Sequence, residues 1–160
     1  MIIQMIAAFL AVVFFSITLE VNKKFIFFAG ISGMLGWITY LICKKYGIND
    51  IICYMISGII IALLSYIFSI IFKVVVTIFL IPGILPIVPG VAIYRTVYYL
   101  IMNDTVNTRY YLMQTILISG SIAIAIFLIE TIVIIGEKII KKNKKRSKNK
   151  TKKVEPLVQK

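Results

Sequence analysis

Three prolines and two glycines crowd the segment TIFLIPGILPIVPGVAIYRTVYYLI, residues 77–101. Pro82, Pro86 and Pro89 lack a backbone N–H, and each ring clashes with the carbonyl four residues earlier, freeing the carbonyls of Ile78, Pro82 and Leu85. The residues before them, Ile81, Leu85 and Val88, are pushed away from helical geometry. Gly83 and Gly90 add backbone freedom. Residues 81–90 are therefore expected to be irregular or sharply kinked. Inside a bilayer such backbone is tolerated only when buried in protein or lining a wet cavity. Transporters build substrate sites this way, with half-helix N-termini aimed at anions and unwound carbonyls at cations. A helix restarting near Gly90 or Val91 would receive a carboxylate, and the carbonyls of Ile78 and Leu85 an ammonium group. A zwitterionic amino acid suits both. Pro82, Gly83, Pro86, Pro89, Gly90, Tyr94 and Arg95 are thus the candidate substrate-binding residues; the alternative is a proline-kinked helix that only packs.

Arg95 follows the proline segment by about one turn. An arginine within a membrane is costly and functional by default, and it can clamp a carboxylate with two hydrogen bonds. Tyr94, Tyr98 and Tyr99 around it equally describe an interfacial belt where arginine snorkels to water, and both readings stay open. Glu20 and Glu130 are candidates for carrying a coupling proton, or for marking span ends. The chain has no histidine, which removes the usual near-neutral proton shuttle. No metal-ligand cluster, nucleophile triad or phosphate-binding glycine loop occurs, so enzymatic catalysis has no support and no cofactor is expected. In FAGISGMLGWITY, Gly30, Gly33 and Gly36 recur every third residue beside Ala29 and Ser32. Ala29–Gly33 and Ser32–Gly36 are small-xxx-small pairs, which let helix backbones approach in lipid; clearing a path for a solute is the alternative.

The elements that carry these residues follow from charge and hydropathy. Of 160 residues 61% are hydrophobic and 15% charged, with a mean hydropathy of +1.00. Uncharged runs cover 1–19, 25–43, 51–72, 74–94 and 110–129. A helix needs about 20 apolar residues to cross a ~30 Å hydrocarbon core, and five such helices cannot all be buried in a chain this short. The pattern predicts an all-α polytopic integral membrane protein. About five spans are expected, near 1–21, 25–43, 51–72, 74–102 (broken) and 110–137, forming one transmembrane domain, 1–137. The first run has no basic n-region and no small-residue cleavage site before Glu20, so it is read as a span and not a signal peptide.

From Lys138 onward 11 Lys or Arg face one acidic residue, Glu155, so most of the net charge of +12 belongs to the tail. Residues 138–160 have the composition of a disordered segment that lies against anionic lipid; nucleic-acid binding is the less favoured use. Basic residues favour the cytoplasm. The short loops alone balance, three basic residues to each side, and the tail decides for an outer N-terminus and a cytoplasmic C-terminus. Cys43 and Cys53 flank the loop 44–50; a disulfide is open to them if that loop faces an oxidising side, and two buried apolar thiols are the favoured reading.

The order of these features resembles the threonine/serine exporter family, specifically its small all-membrane component, which corresponds to the second half of the fused exporters. The resemblance covers roughly residues 8–137. It rests on LEVNKKFIFFAGISGMLGW, on FLIPGILPIVPGVAIYR and on the Gly136–Glu137 pair, with Pro86 to Tyr94 the most specific piece. Two positions depart from the family pattern: Asn22 where proline is usual, and Ser65–Tyr66 where an Ala-Glu pair is common. The resemblance implies proton-driven export of small hydroxy amino acids, or of small carboxylates, across the plasma membrane. It also implies a larger partner subunit with a cytosolic domain and its own spans, so that this chain is a half-transporter. The alternative from a different class is a small homo-oligomeric pore or holin-like protein, which gains nothing from unwound backbone.

Overall fold

The computed structural model describes residues 2–154, with side chains for residues 2–136. The described residues form helices and turns with no strand: α1 (Ile2–Thr18), α2 (Lys23–Lys45), α3 (Asp50–Phe72), α4 (Thr77–Ile84), a 3-10 turn (Leu85–Ile87), α5 (Gly90–Ile101) and α6 (Thr105–Val154). Three apolar helices are long enough to cross a membrane, Lys23–Lys45, Asp50–Phe72 and Thr105–Gly136. Thr77–Ile87 and Gly90–Ile101, bent by 52°, make a fourth if counted together, and Ile2–Thr18 is apolar but shorter, at 17 residues. The chain is a multi-pass membrane protein.

Helix ends follow local chemistry. Asn22 and Asn49 are N-caps, accepting from the N–H groups of Lys24 at 3.2 Å and Ile51 at 2.9 Å; each satisfies a donor that a helix start leaves unpaired. Asp104 does the same for α6, accepting from the Asn107 N–H at 3.1 Å and its side-chain amide at 2.7 Å. Glu20, Lys73 and Asn103 turn the chain at the ends of α1, α3 and α5 with φ of 54°, 54° and 56°.

The chain divides into two units, 1–126 and 127–160. In the first, α2 packs against α1, α3 and α4. Its three glycines face three neighbours. A Cβ on Gly30 would lie 2.6 Å from Phe9 of α1, and one on Gly33 would lie 2.6 Å from Val12 of α1 and 3.1 Å from the Gly83 carbonyl of α4. One on Gly36 would run into the Ile61 side chain of α3. The Ser57 hydroxyl donates to the Gly36 carbonyl at 2.6 Å, an interhelical bond that the close approach permits. At one end of this unit Phe25, Phe28, Phe68, Phe72 and Phe79 pack around Val12 and Ala29. Elsewhere Tyr40, Cys43 and Cys53 form a buried cluster with Trp37 and Tyr54 beside it. Both cysteines are buried free thiols. The second unit continues α6 as far as Val154.

Two expectations need correction. Residues 138–154 are helical, not disordered: Lys and Arg are good helix formers, and a long apolar helix before them supplies the costly nucleus. Residues 155–160, and the tail side chains expected against anionic lipid, lie outside the described residues. The irregular stretch is also narrower than 81–90. Pro82 sits inside α4 and Leu85 keeps helical angles (φ −46°, ψ −45°), leaving Val88 extended at ψ 132°. Pro82 is fully buried, so packing holds the short helix that the proline alone would weaken.

Candidate functional site

Helix α2 ends at Lys45 and α3 begins at Asp50, so the short turn between them brings Lys44 and Asp50 together. Helix α5 starts at Gly90, and Arg95 falls in its second turn. Helix α6 runs back from Thr105 and presents Tyr111 beside Arg95. These elements enclose a cavity of about 380 Å³, at the small end of the ~300–1,000 Å³ usual for small-molecule sites.

Trp37, Tyr40 and Tyr54 supply its aromatic wall; Trp37 stacks on Tyr40 at 5.1 Å between ring centres, and Tyr40 meets Tyr54 at 4.6 Å. Pro86, Pro89 and Gly90 form the side at the bend, and Gln114 and Ile118 the side from α6. The N-terminus of α5 borders it through Gly90, Val91 and Ala92. The Gly90 N–H already donates to the Val88 carbonyl at 2.7 Å, so the N–H groups of Val91 and Ala92 are the ones a helix start leaves without a partner within the helix. These groups and the helix dipole favour a negative charge.

Three charged side chains line the cavity: Lys44, Asp50 and Arg95. Lys44 lies 3.6 Å from the Asp50 carboxylate, donates to the Tyr40 hydroxyl at 3.2 Å and sits 5.6 Å from that ring's centre. Arg95 donates from Nη1 to the Tyr111 hydroxyl at 3.1 Å, with its guanidinium 5.2 Å from the Tyr111 ring centre. Among the described residues no carboxylate lies within ion-pair distance of Arg95. These contacts hold the guanidinium beside Tyr111 and engage Nη1, and its remaining N–H groups can take a carboxylate.

Of the residues expected at the site, Pro86, Pro89, Gly90 and Arg95 line the cavity. Pro82 and Gly83 do not: both are buried, and a Cβ on Gly83 would come 2.7 Å from the Ser32 hydroxyl. Tyr94 is 68% exposed and stacks on Tyr98. The carbonyls expected to meet an ammonium group are elsewhere or occupied. Ile78 packs into the phenylalanine cluster, and the Leu85 carbonyl accepts from the Val88 N–H at 3.3 Å. Glu20 lies beyond the far end of α1 from Gln4, which shares a smaller pocket of about 260 Å³ with Trp37 and Pro86. Glu130 is exposed and belongs to the second unit.

Lys44, Asp50, Tyr54, Tyr111 and Gln114 were not among the expected site residues. Lys44 and Asp50 read as loop charges in the sequence, and nothing in periodicity reports that α6 returns to the same level. The brevity of the 46–49 turn was the available signal.

A family model described as "Threonine/Serine exporter, ThrE" matches residues 4–132, a stretch that contains every residue of the cavity. No curated protein and no solved structure matches the chain.

Proposed function

This chain belongs to the threonine/serine exporter family, and from that premise we propose that it is the all-membrane half of a secondary exporter of small hydroxy amino acids. The transported species is a small molecule, and the 380 Å³ cavity is its binding vestibule. One observation carries the assignment: Arg95, with no carboxylate partner among the described residues, stands beside the open N-terminus of α5. A guanidinium and a helix N-terminus converging on one space suit a carboxylate. Pro86 and Pro89 keep α4 and α5 from merging and so hold that space open. In this reading α1 and the bent α4–α5 pair are spans, making five in all, with an outer N-terminus and a cytoplasmic C-terminus in the plasma membrane. A larger subunit completes the pathway, and Glu20 and Glu130 are the carboxylates available for proton coupling. Gly30, Gly33 and Gly36 serve helix packing.

The test is efflux of labelled threonine from preloaded cells expressing this chain alone, the large subunit alone, both, or neither. The proposal expects efflux only with both chains, collapsing with a protonophore. Gradient-independent efflux of unrelated solutes from this chain alone would favour a homo-oligomeric pore.

A further inference from the structure

The cavity lining holds two cations and one anion, Lys44, Arg95 and Asp50, yet only one pair is formed among them. Lys44 neutralises Asp50 at 3.6 Å while Arg95 is left with a tyrosine. A site meant only for carboxylates would gain nothing from Asp50, which weakens the local positive potential. A structural ion pair would be buried and joined by direct hydrogen bonds, whereas these side chains are 56% and 42% exposed and their charged atoms stand beyond hydrogen-bond distance. Such a pair is easily exchanged. Lys44 is also held independently of Asp50, since its ammonium donates to the Tyr40 hydroxyl and lies over that ring at the same time.

We infer that Asp50 receives the ammonium group of the transported amino acid, and that Lys44 is a tethered competitor for the same carboxylate, holding it until substrate arrives. This rests on the reading of the cavity as the substrate site. The exchange is one ammonium for another at Asp50, so the charge of the cavity lining does not change: the substrate's ammonium enters, and Lys44 gives up Asp50 while keeping its bond to Tyr40. The substrate's carboxylate then meets Arg95 and the start of α5. Selection of a zwitterion over a bare carboxylate resides in Asp50.

The test compares labelled threonine with labelled 3-hydroxybutyrate, which is threonine without its amino group, in proteoliposomes containing this chain and the large subunit. Asp50→Asn removes the anion of the cavity lining; threonine KM is expected to rise about ten- to a hundredfold, while 3-hydroxybutyrate becomes the better substrate. Lys44→Met removes the competitor, and threonine KM is expected to fall severalfold with no gain for 3-hydroxybutyrate. The inference is overturned if Asp50→Asn slows both solutes equally, or if Lys44→Met raises threonine KM. Lys44→Met keeps the carboxylate and decides the matter alone should Asp50→Asn fail to assemble. Arg95→Gln separates the two levels. Loss of both solutes in that variant supports the site itself, whatever Asp50 does, whereas wild-type transport of both would remove the site and this inference with it.

Discussion

At the scale of single residues, the three glycines of α2 and the charged groups of the cavity differ in how plainly the sequence marks them. Gly30, Gly33 and Gly36 stand out because small residues cluster there, including the small-xxx-small pairs Ala29–Gly33 and Ser32–Gly36 that let helices pack closely in lipid. Their partners do not stand out, since which neighbour a helix face meets depends on crossings that no single helix encodes. Arg95 is conspicuous for the cost of its charge; Asp50 is inconspicuous because a carboxylate after an asparagine cap looks like any helix start. The glycine contacts give a direct test. A methyl at Gly36 meets Ile61, which is fully buried and cannot swing away. Gly36→Ala is expected to destabilise the chain by about 1–3 kcal/mol, read as a lower melting point in detergent. Combined with Ile61→Ala, the double variant should lose less than the sum of the single losses, because each relieves the other. Gly120→Ala, where an added Cβ meets nothing within 4 Å, is the matched control and should be neutral or mildly stabilising.

At the scale of elements, the chain's helices were legible and their exact joints were not. Prolines predicted trouble across 81–90, but the α4 backbone tolerates Pro82 where buried packing supports it, and Val88 is where the chain turns extended. Two further outcomes belong to this scale. Replacing Pro86 and Pro89 together by alanine restores two N–H donors and should let α4 and α5 approach one continuous helix. Threonine efflux should then fall severely while the variant still co-purifies with the large subunit; retained efflux would show that the bend is not needed. The start of α6 depends on Asp104, whose carboxyl is held below its ordinary value by hydrogen bonds from the Asn107 side chain and backbone. A carboxyl with a lowered folded-state pKa stabilises above its unfolded value near 4 and loses that contribution as pH falls through the folded one. The cap should therefore be unaffected between about pH 8 and 5, with fraying of α6 only below about pH 4. Asp104→Ala should speed amide exchange at residues 105–108 several-fold already at neutral pH.

At the scale of the whole molecule, hydropathy alone established a membrane protein of several spans, because no soluble core of this size could hide such runs. It did not reveal that Lys44, Asp50, Arg95 and Tyr111 converge, since the level at which antiparallel helices meet is a property of all the turns together. The proposed orientation makes a sharp expectation in a variant whose native cysteines are replaced. Tyr46→Cys, in the turn after α2, should react with a membrane-impermeant maleimide in intact cells; Lys23→Cys should react only after permeabilisation. The reverse pattern would invert the protein. The three-sided engagement of α2 also has a bearing on biogenesis. Domains form progressively as a chain is synthesised, so α2 meets its partners in a fixed order. The Gly30 surface docks on α1 first, Gly36 waits for α3, and Gly33 reaches its final setting only when α4 brings the Gly83 carbonyl against it. A nascent chain stopped after α3 would have Gly33 covered by Val12 of α1 on one side and still bare on the side that the Gly83 carbonyl later closes.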